Sequence, residues 1–135
     1  MDAWLLGHAA FIAPIGCALQ LAGTDPLRLA GNRALLRLMV RATRQGFRAL
    51  DAADEAEIPT NLRALYLRLP SGFAVAYWKR VLAGPRGELW FAAHTRAAPE
   101  EMAELAKTLD TAVRRTGRPA PDLQHLIQTA RASQP

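Results

Sequence analysis

The sequence predicts an all-α fold, with residues 1–135 forming a single helical domain. Along most of the chain, apolar residues recur at spacings of three and four, which is the period of a helix with one buried face. No run of alternating β-branched residues has the pattern of a strand. Prolines and glycines divide the chain into helical stretches, and no linker-like segment separates two domains.

The first predicted helix runs from Ala3 to Leu21 and ends at Gly23. It carries no charged residue and is about as long as a helix that crosses a membrane. Gly7 and Pro14 interrupt it, however, and no basic segment precedes it as in a signal sequence. We interpret it as a central helix that its neighbours bury, and we expect no membrane association.

The later helices are predicted from their start and stop signals. Thr24-Asp25-Pro26 is a cap followed by a proline at a first helical position. Gly117 is a stop signal after two arginines, which suit the negative end of a helix dipole. The predicted ranges are Pro26–Leu29, Arg33–Ala53, Asn61–Leu69, Phe73–Leu82, Glu88–His94, Pro99–Arg115 and a last helix from Pro121.

The chain is basic, with a formal net charge of +5, and all but two of its 17 basic residues are arginine. A balance of this kind favours contact with anions without identifying them. Cys17 is the only cysteine, so the chain forms no internal disulfide and has no cysteine cluster for zinc. We therefore expect a reducing compartment, the cytoplasm.

Local signatures of nucleotide, metal and acyl-transfer sites are absent from the sequence. It contains no GxGxxG, GxxxxGKS/T, HExxH, CxxC or GxSxG.

The three histidines, His8, His94 and His125, lie far apart, and none has a second ligand at helical spacing, so no metal site is expected. On a buried helix, His8 is expected to bond a backbone carbonyl rather than act as a base. His94 suits the end of a short helix as a dipole partner.

Arg37, Arg41, Arg44 and Arg48 recur every three or four residues and predict a basic stripe on the outer face of the long helix. Such a stripe can follow the phosphates of a nucleic acid. We favour a solvated helix face, because aromatic residues and glycines are not interleaved with the charges as in single-strand binders. Trp78 is assigned to the core, since it continues an apolar run.

Four segments in order across nearly the whole chain carry a family resemblance. They are Trp4–Pro14, Met39–Ala53 with Ile58-Pro59, His94–Met102 and Gly117–Pro121. Together they resemble the helical C-terminal domain of the ketopantoate reductase family. The resemblance implies a compact multi-helix fold like that of the 6-phosphogluconate dehydrogenase C-terminal domain.

The resemblance also implies the helical half of a two-domain enzyme, in which NADPH binds a Rossmann domain and the keto acid lies against the helical domain. Leu6 stands where the resemblance implies the catalytic lysine, and Ala10 and Pro14 stand where it implies asparagines. Leucine cannot donate a proton to the developing alkoxide or stabilise its charge. Of the implied catalytic set, Glu101 remains as a partner for a substrate hydroxyl.

We therefore expect a module of this type that lacks a Rossmann domain, binds no cofactor alone and does not catalyse hydride transfer alone. Its substrate-side candidates are His8 and His94. Because a face that the Rossmann domain covers in the family would be exposed here, we expect a homodimer. One alternative is the separated half of an NADPH-dependent 2-dehydropantoate 2-reductase, completed by a Rossmann-domain chain. Another, which we do not favour, is a basic helical module that binds nucleic acid.

Overall fold

The structure is a computed structural model that describes residues 2–89 and 93–133, apart from the side chains of His94 and Ala97. Within this part of the chain every regular element is helical, which confirms the predicted all-α class. The elements are α1 (Ala3–Leu21), α2 (Pro26–Gly31), α3 (Arg33–Ala52), α4 (Thr60–Arg63, continued by a π-helical segment at Ala64–Arg68), α5 (Ser71–Ala83), α6 (Pro85–Gly87), α7 (Ala93–Ala97), α8 (Pro99–Arg115) and α9 (Pro121–Ala132).

Helix α1 forms the centre of the fold and packs against α3, α8 and α9. It is buried for most of the stretch between Leu6 and Leu19, and Ala10 and Ala13 are fully covered. Small side chains at such positions let neighbouring helices approach closely. Pro14 lies inside α1 without ending it. The predicted central helix is therefore confirmed.

By length and composition, α1 also meets the criterion for a membrane span. Of the 18-residue window that meets this criterion, 61% is buried inside the structure. Core helices of water-soluble proteins pass the same test, so this burial favours the interpretation of α1 as a core helix. The absence of membrane association stays a prediction.

At two glycines of α1, other parts of the chain come closer to the helix backbone than a side chain would allow. A Cβ built on Gly7 would lie 2.0 Å from the Glu57 carbonyl oxygen. The segment after α3 therefore crosses α1 in direct contact with the Gly7 backbone. The Glu57 amide donates to the Ala3 carbonyl at 2.8 Å and fastens this crossing. At Gly16, the Met102 side chain from the start of α8 takes the place that a Cβ would need.

Glutamines from two other helices hold both ends of α9. Gln45 of α3 accepts from the Asp122 amide at 2.9 Å, and its own amide donates to the Asp122 carboxylate at 2.7 Å. The N-cap residue Ala120 supplies no side-chain acceptor, so Gln45 takes that role. At the other end, Gln20 of α1 donates to the Ala130 carbonyl at 2.9 Å. Helix α9 is thereby fixed against both α1 and α3.

Most predicted helix boundaries agree with the structure. Helix α1 has the predicted bounds, and α3 ends one residue before the predicted Ala53. Gly23 and Gly117, predicted as helix stops, both have a φ of 73°, which glycine adopts without strain. The predicted helix Glu88–His94 includes residues 90–92, which lie outside the described residues.

The predicted helix Asn61–Leu69 differs from the structure in the shape of its turns. After Arg63 the backbone of α4 widens into the π-helical segment, which hydrophobic periodicity does not distinguish from an α-helix. In this segment Tyr66 is buried, and its ring meets the Phe47 ring edge to face with centroids 5.4 Å apart. Trp78 is also buried, which confirms its assignment to the core.

Candidate functional site

The three α1 positions that the resemblance assigns to catalysis lie inside the fold. Leu6, Ala10 and Pro14 are all buried. Leu6 borders a groove whose other residues include Glu104 and Arg115 of α8. An apolar side chain at this place supplies neither a proton nor a charge to a substrate.

Glu101 lies in the first turn of α8, where its side chain is exposed and interacts favourably with the helix dipole. Helices α1 and α8 run in opposite directions, since Met102 packs on Gly16 while Leu6 borders the groove that reaches Arg115. Glu101 is therefore level with the second half of α1, about 15 Å along its axis from Leu6 at about 1.5 Å per residue. The structure does not bring Glu101 and Leu6 together.

His8 is half-buried on the second turn of α1. Its Nδ1 lies 3.2 Å from the Trp4 carbonyl oxygen, which confirms the expected backbone partner. The Trp4 and His8 rings are in contact, with centroids 4.0 Å apart and planes tilted by 35°, and Trp4 and Leu5 are 53% and 45% exposed. We name Trp4, Leu5 and His8 the α1 edge. It is the open end of a helix that is otherwise largely core.

His94 lies in α7, and its side chain lies outside the described residues. The neighbouring Arg96 forms an ion pair with Glu88 and donates to the Thr24 carbonyl at 2.9 Å. The hydrogen bonds from Arg96 hold the pKa of Glu88 below its ordinary value. These contacts fasten the segment around α7 to the turn that follows α1.

Cys17 is buried in α1, and burial raises the pKa of its thiol to about 12. A thiol in that state is neither a nucleophile nor a metal ligand. Among residues 2–89 and 93–133, no group of three histidine, cysteine or carboxylate side chains is placed to hold a metal ion.

Of the four arginines of the predicted stripe, Arg37, Arg41 and Arg48 are exposed and Arg44 is half-buried. Arg37 and Arg41 line a cleft between α3 and α5, whereas Arg44 is half-buried and does not line it. Arg48 is exposed and lies outside the cleft. The exposures agree with the predicted outer face, and within it Arg37 and Arg41 are the two arginines that line the cleft.

The cleft has a volume of 530 Å³ and gathers cations from two helices. We name it the basic cleft; its polar and charged lining consists of Arg33, Arg37, Arg41, Lys79 and Ser71. Arg33 was not predicted as a site residue, although it lies one helical turn before Arg37 and extends the same spacing. Lys79 was not predicted either, because it reaches the cleft only through the packing of α5 on α2 and α3.

Comparison with known proteins adds no assignment. No protein-family model, curated protein or solved structure matches the chain. The α1 edge and the basic cleft are thus the two surfaces from which a function is inferred.

Proposed function

We propose that the protein is a helical module of the ketopantoate reductase C-terminal type, which acts by contact with another chain and does not catalyse hydride transfer alone. We assign it the fold of the 6-phosphogluconate dehydrogenase C-terminal-like domains and a place in the cytoplasm. The four resembling segments support this assignment, because they follow the order of the family over nearly the whole chain.

The α1 edge carries this proposal. Helix α1 is largely core from Leu6 onward, yet its first turns expose Trp4 and Leu5. An aromatic ring and a leucine held on a rigid helix gain stability when another protein covers them. The resemblance assigns substrate-side residues to the same turns. The edge is therefore the place where we expect the covering chain.

A second copy of this chain is the partner that we propose. A twofold pairing lets the same apolar surface cover itself, which is the commonest form of a homodimer. The alternative partner is a Rossmann-domain chain, which would supply the NADPH site and complete a reductase. Both partners need the α1 edge to be open, as it is here.

The residues at the implied catalytic positions support a non-catalytic role for the chain alone. Leu6 is apolar and buried, and Glu101 lies about 15 Å from it along α1. Loss of a general acid alone lowers a rate roughly a hundredfold to ten-thousandfold. His8, predicted on the substrate side, contacts the Trp4 carbonyl and does not replace the lysine at the Leu6 position.

An absorbance assay of NADPH oxidation with ketopantoate tests this role. We expect no turnover by the isolated chain, and none by Leu6→Lys unless a Rossmann-domain chain supplies the NADPH site. Circular dichroism establishes that the variant is folded. Turnover by the isolated chain would contradict the proposal, and turnover only after addition of a Rossmann-domain chain would support the two-chain reductase instead.

A further inference from the structure

We propose that the basic cleft is a binding site for a small phosphate-bearing ligand, a role that goes beyond the contact function of the α1 edge. Four cations converge on one cavity, and none of the described residues that line it carries a carboxylate. These cations are Arg33, Arg37 and Arg41 of α3 and Lys79 of α5. Arginine binds phosphate oxygens through pairs of N–H groups, and lysine adds a compact positive charge.

The spacing of the α3 arginines points to a bound anion. Arg33, Arg37 and Arg41 follow each other at four-residue intervals, so their side chains occupy one face of the helix. Like charges at this spacing repel and destabilise a helix. In residues 2–89 and 93–133, no carboxylate forms an ion pair with any of the four cleft cations. An anion with two or more charges relieves this repulsion when it binds between them.

The size of the basic cleft selects a small ligand. Its 530 Å³ lies within the range of small-molecule pockets, about 300–1,000 Å³. The row from Arg33 to Arg41 extends about 12 Å along α3, which suits one or two phosphate groups. A nucleic acid would use cations along the whole row of α3, including Arg48, which lies outside the cleft, whereas a small ligand needs only the cations that line it.

The start of α5 adds hydrogen-bond donors to the site that the cations define. Helix α5 begins at Ser71, and no side chain caps its first turn. Ser71 and Gly72 both line the cleft. A Cβ built on Gly72 would meet no atom within 4 Å, so the cleft is open at this point. Amides in a first helical turn favour negative charge, and the Ser71 hydroxyl is a further donor.

Calorimetric titration of the full chain with pyrophosphate, inorganic phosphate and generic duplex DNA tests the proposal. We expect saturable one-site binding of pyrophosphate, weaker binding of inorganic phosphate, and weakening of both by added salt. Arg37→Gln and Lys79→Gln are each expected to weaken pyrophosphate binding about tenfold, because each removes a charge-assisted hydrogen bond. Arg48→Gln is the control on the same helix and is expected to change the affinity by less than about twofold.

Three results would overturn the proposal: no saturable binding of pyrophosphate, DNA binding that is tighter than pyrophosphate binding, or equal losses in Arg37→Gln and Arg48→Gln. The replaced side chains are exposed, so the variants are expected to fold, and their unfolding curves verify this. Titration with NADPH distinguishes failure of the phosphate-site proposal from failure of the proposed non-catalytic role. Binding of NADPH with turnover would contradict the non-catalytic role and leave the pyrophosphate result intact.

Discussion

At the scale of single residues, Gly7 is the position of α1 that tolerates a side chain least. A Cβ there would lie 2.0 Å from the Glu57 carbonyl oxygen, and backbone cannot rotate away as a side chain can. Gly7→Ala is therefore expected to lower the free energy of unfolding by about 1–3 kcal/mol, the usual cost of overpacking. Urea unfolding followed by circular dichroism measures this change.

Gly31→Ala is the matched control, because a Cβ on Gly31 meets no atom within 4 Å and alanine has the higher helix propensity. We expect its stability to equal or exceed that of the wild type. Equal stability of Gly7→Ala and the wild type would show that the Glu57 segment does not cross α1 as described.

For two neighbouring residues of α1, His8 and Gly7, the sequence predicted the contact of the first but not that of the second. The carbonyl partner of His8 was predicted, because a ring nitrogen on a packed helix needs a hydrogen bond and the nearest acceptor is local. The contact at Gly7 was not predicted, because Glu57 is distant in sequence. The catalytic role of Glu101 stays a prediction, and its place in the first turn of α8 is explained by the helix dipole alone.

At the scale of helices, an ion pair connects the end of α3 to α4. Arg63 donates to both carboxylate oxygens of Asp51, at 2.8 and 2.9 Å. These hydrogen bonds hold the pKa of Asp51 below its ordinary value of 3.8. Because the folded pKa is below the unfolded one, the pair stabilises the fold above the unfolded pKa, and this stabilisation is lost as the pH falls through the folded pKa.

Asp51→Asn is therefore expected to reduce the loss of stability on acidification. Urea unfolding at a series of pH values, from about 6 down to about 3, measures the free energy of unfolding of both proteins. The two curves are expected to differ near neutral pH and to converge at the acidic end. Glu104→Gln removes an exposed carboxylate of α8 as a control. If the free energies of unfolding of the wild type and Asp51→Asn changed in parallel with pH, the ion pair between Asp51 and Arg63 would not contribute to the acid sensitivity of the fold.

Helices with local signals were predicted well, and contacts between helices were not. Gly23 and Gly117 act within their own turns, so the sequence alone predicts the stops that they impose. Gln45, by contrast, caps α9 from another helix, and no local pattern indicates it. The π-helical segment at Ala64–Arg68 likewise has no distinct apolar period.

At the scale of the whole molecule, packing adds to a concentration of positive charge that the sequence places on α3. The spacing on α3 predicts a row of arginines, but only the docking of α5 adds Lys79 to it. The same packing leaves Arg48 outside the basic cleft. The spacing alone therefore predicts Arg37 and Arg41, which are two of the four cleft cations. It groups them with Arg44 and Arg48, which do not line the cleft.

We propose that the α1 edge makes the whole molecule a partner in an assembly, and self-association tests this proposal most directly. The wild-type chain is expected to sediment as a dimer at high micromolar concentration. Trp4→Ser combined with Leu5→Ser is expected to sediment as a monomer, because truncating central apolar anchors of an interface costs about 2 kcal/mol or more. Leu27→Ser removes a leucine that is 64% exposed on α2, outside the edge, and is expected to remain dimeric. A monodisperse wild-type monomer, or a dimer that survives the substitutions at Trp4 and Leu5, would contradict the account.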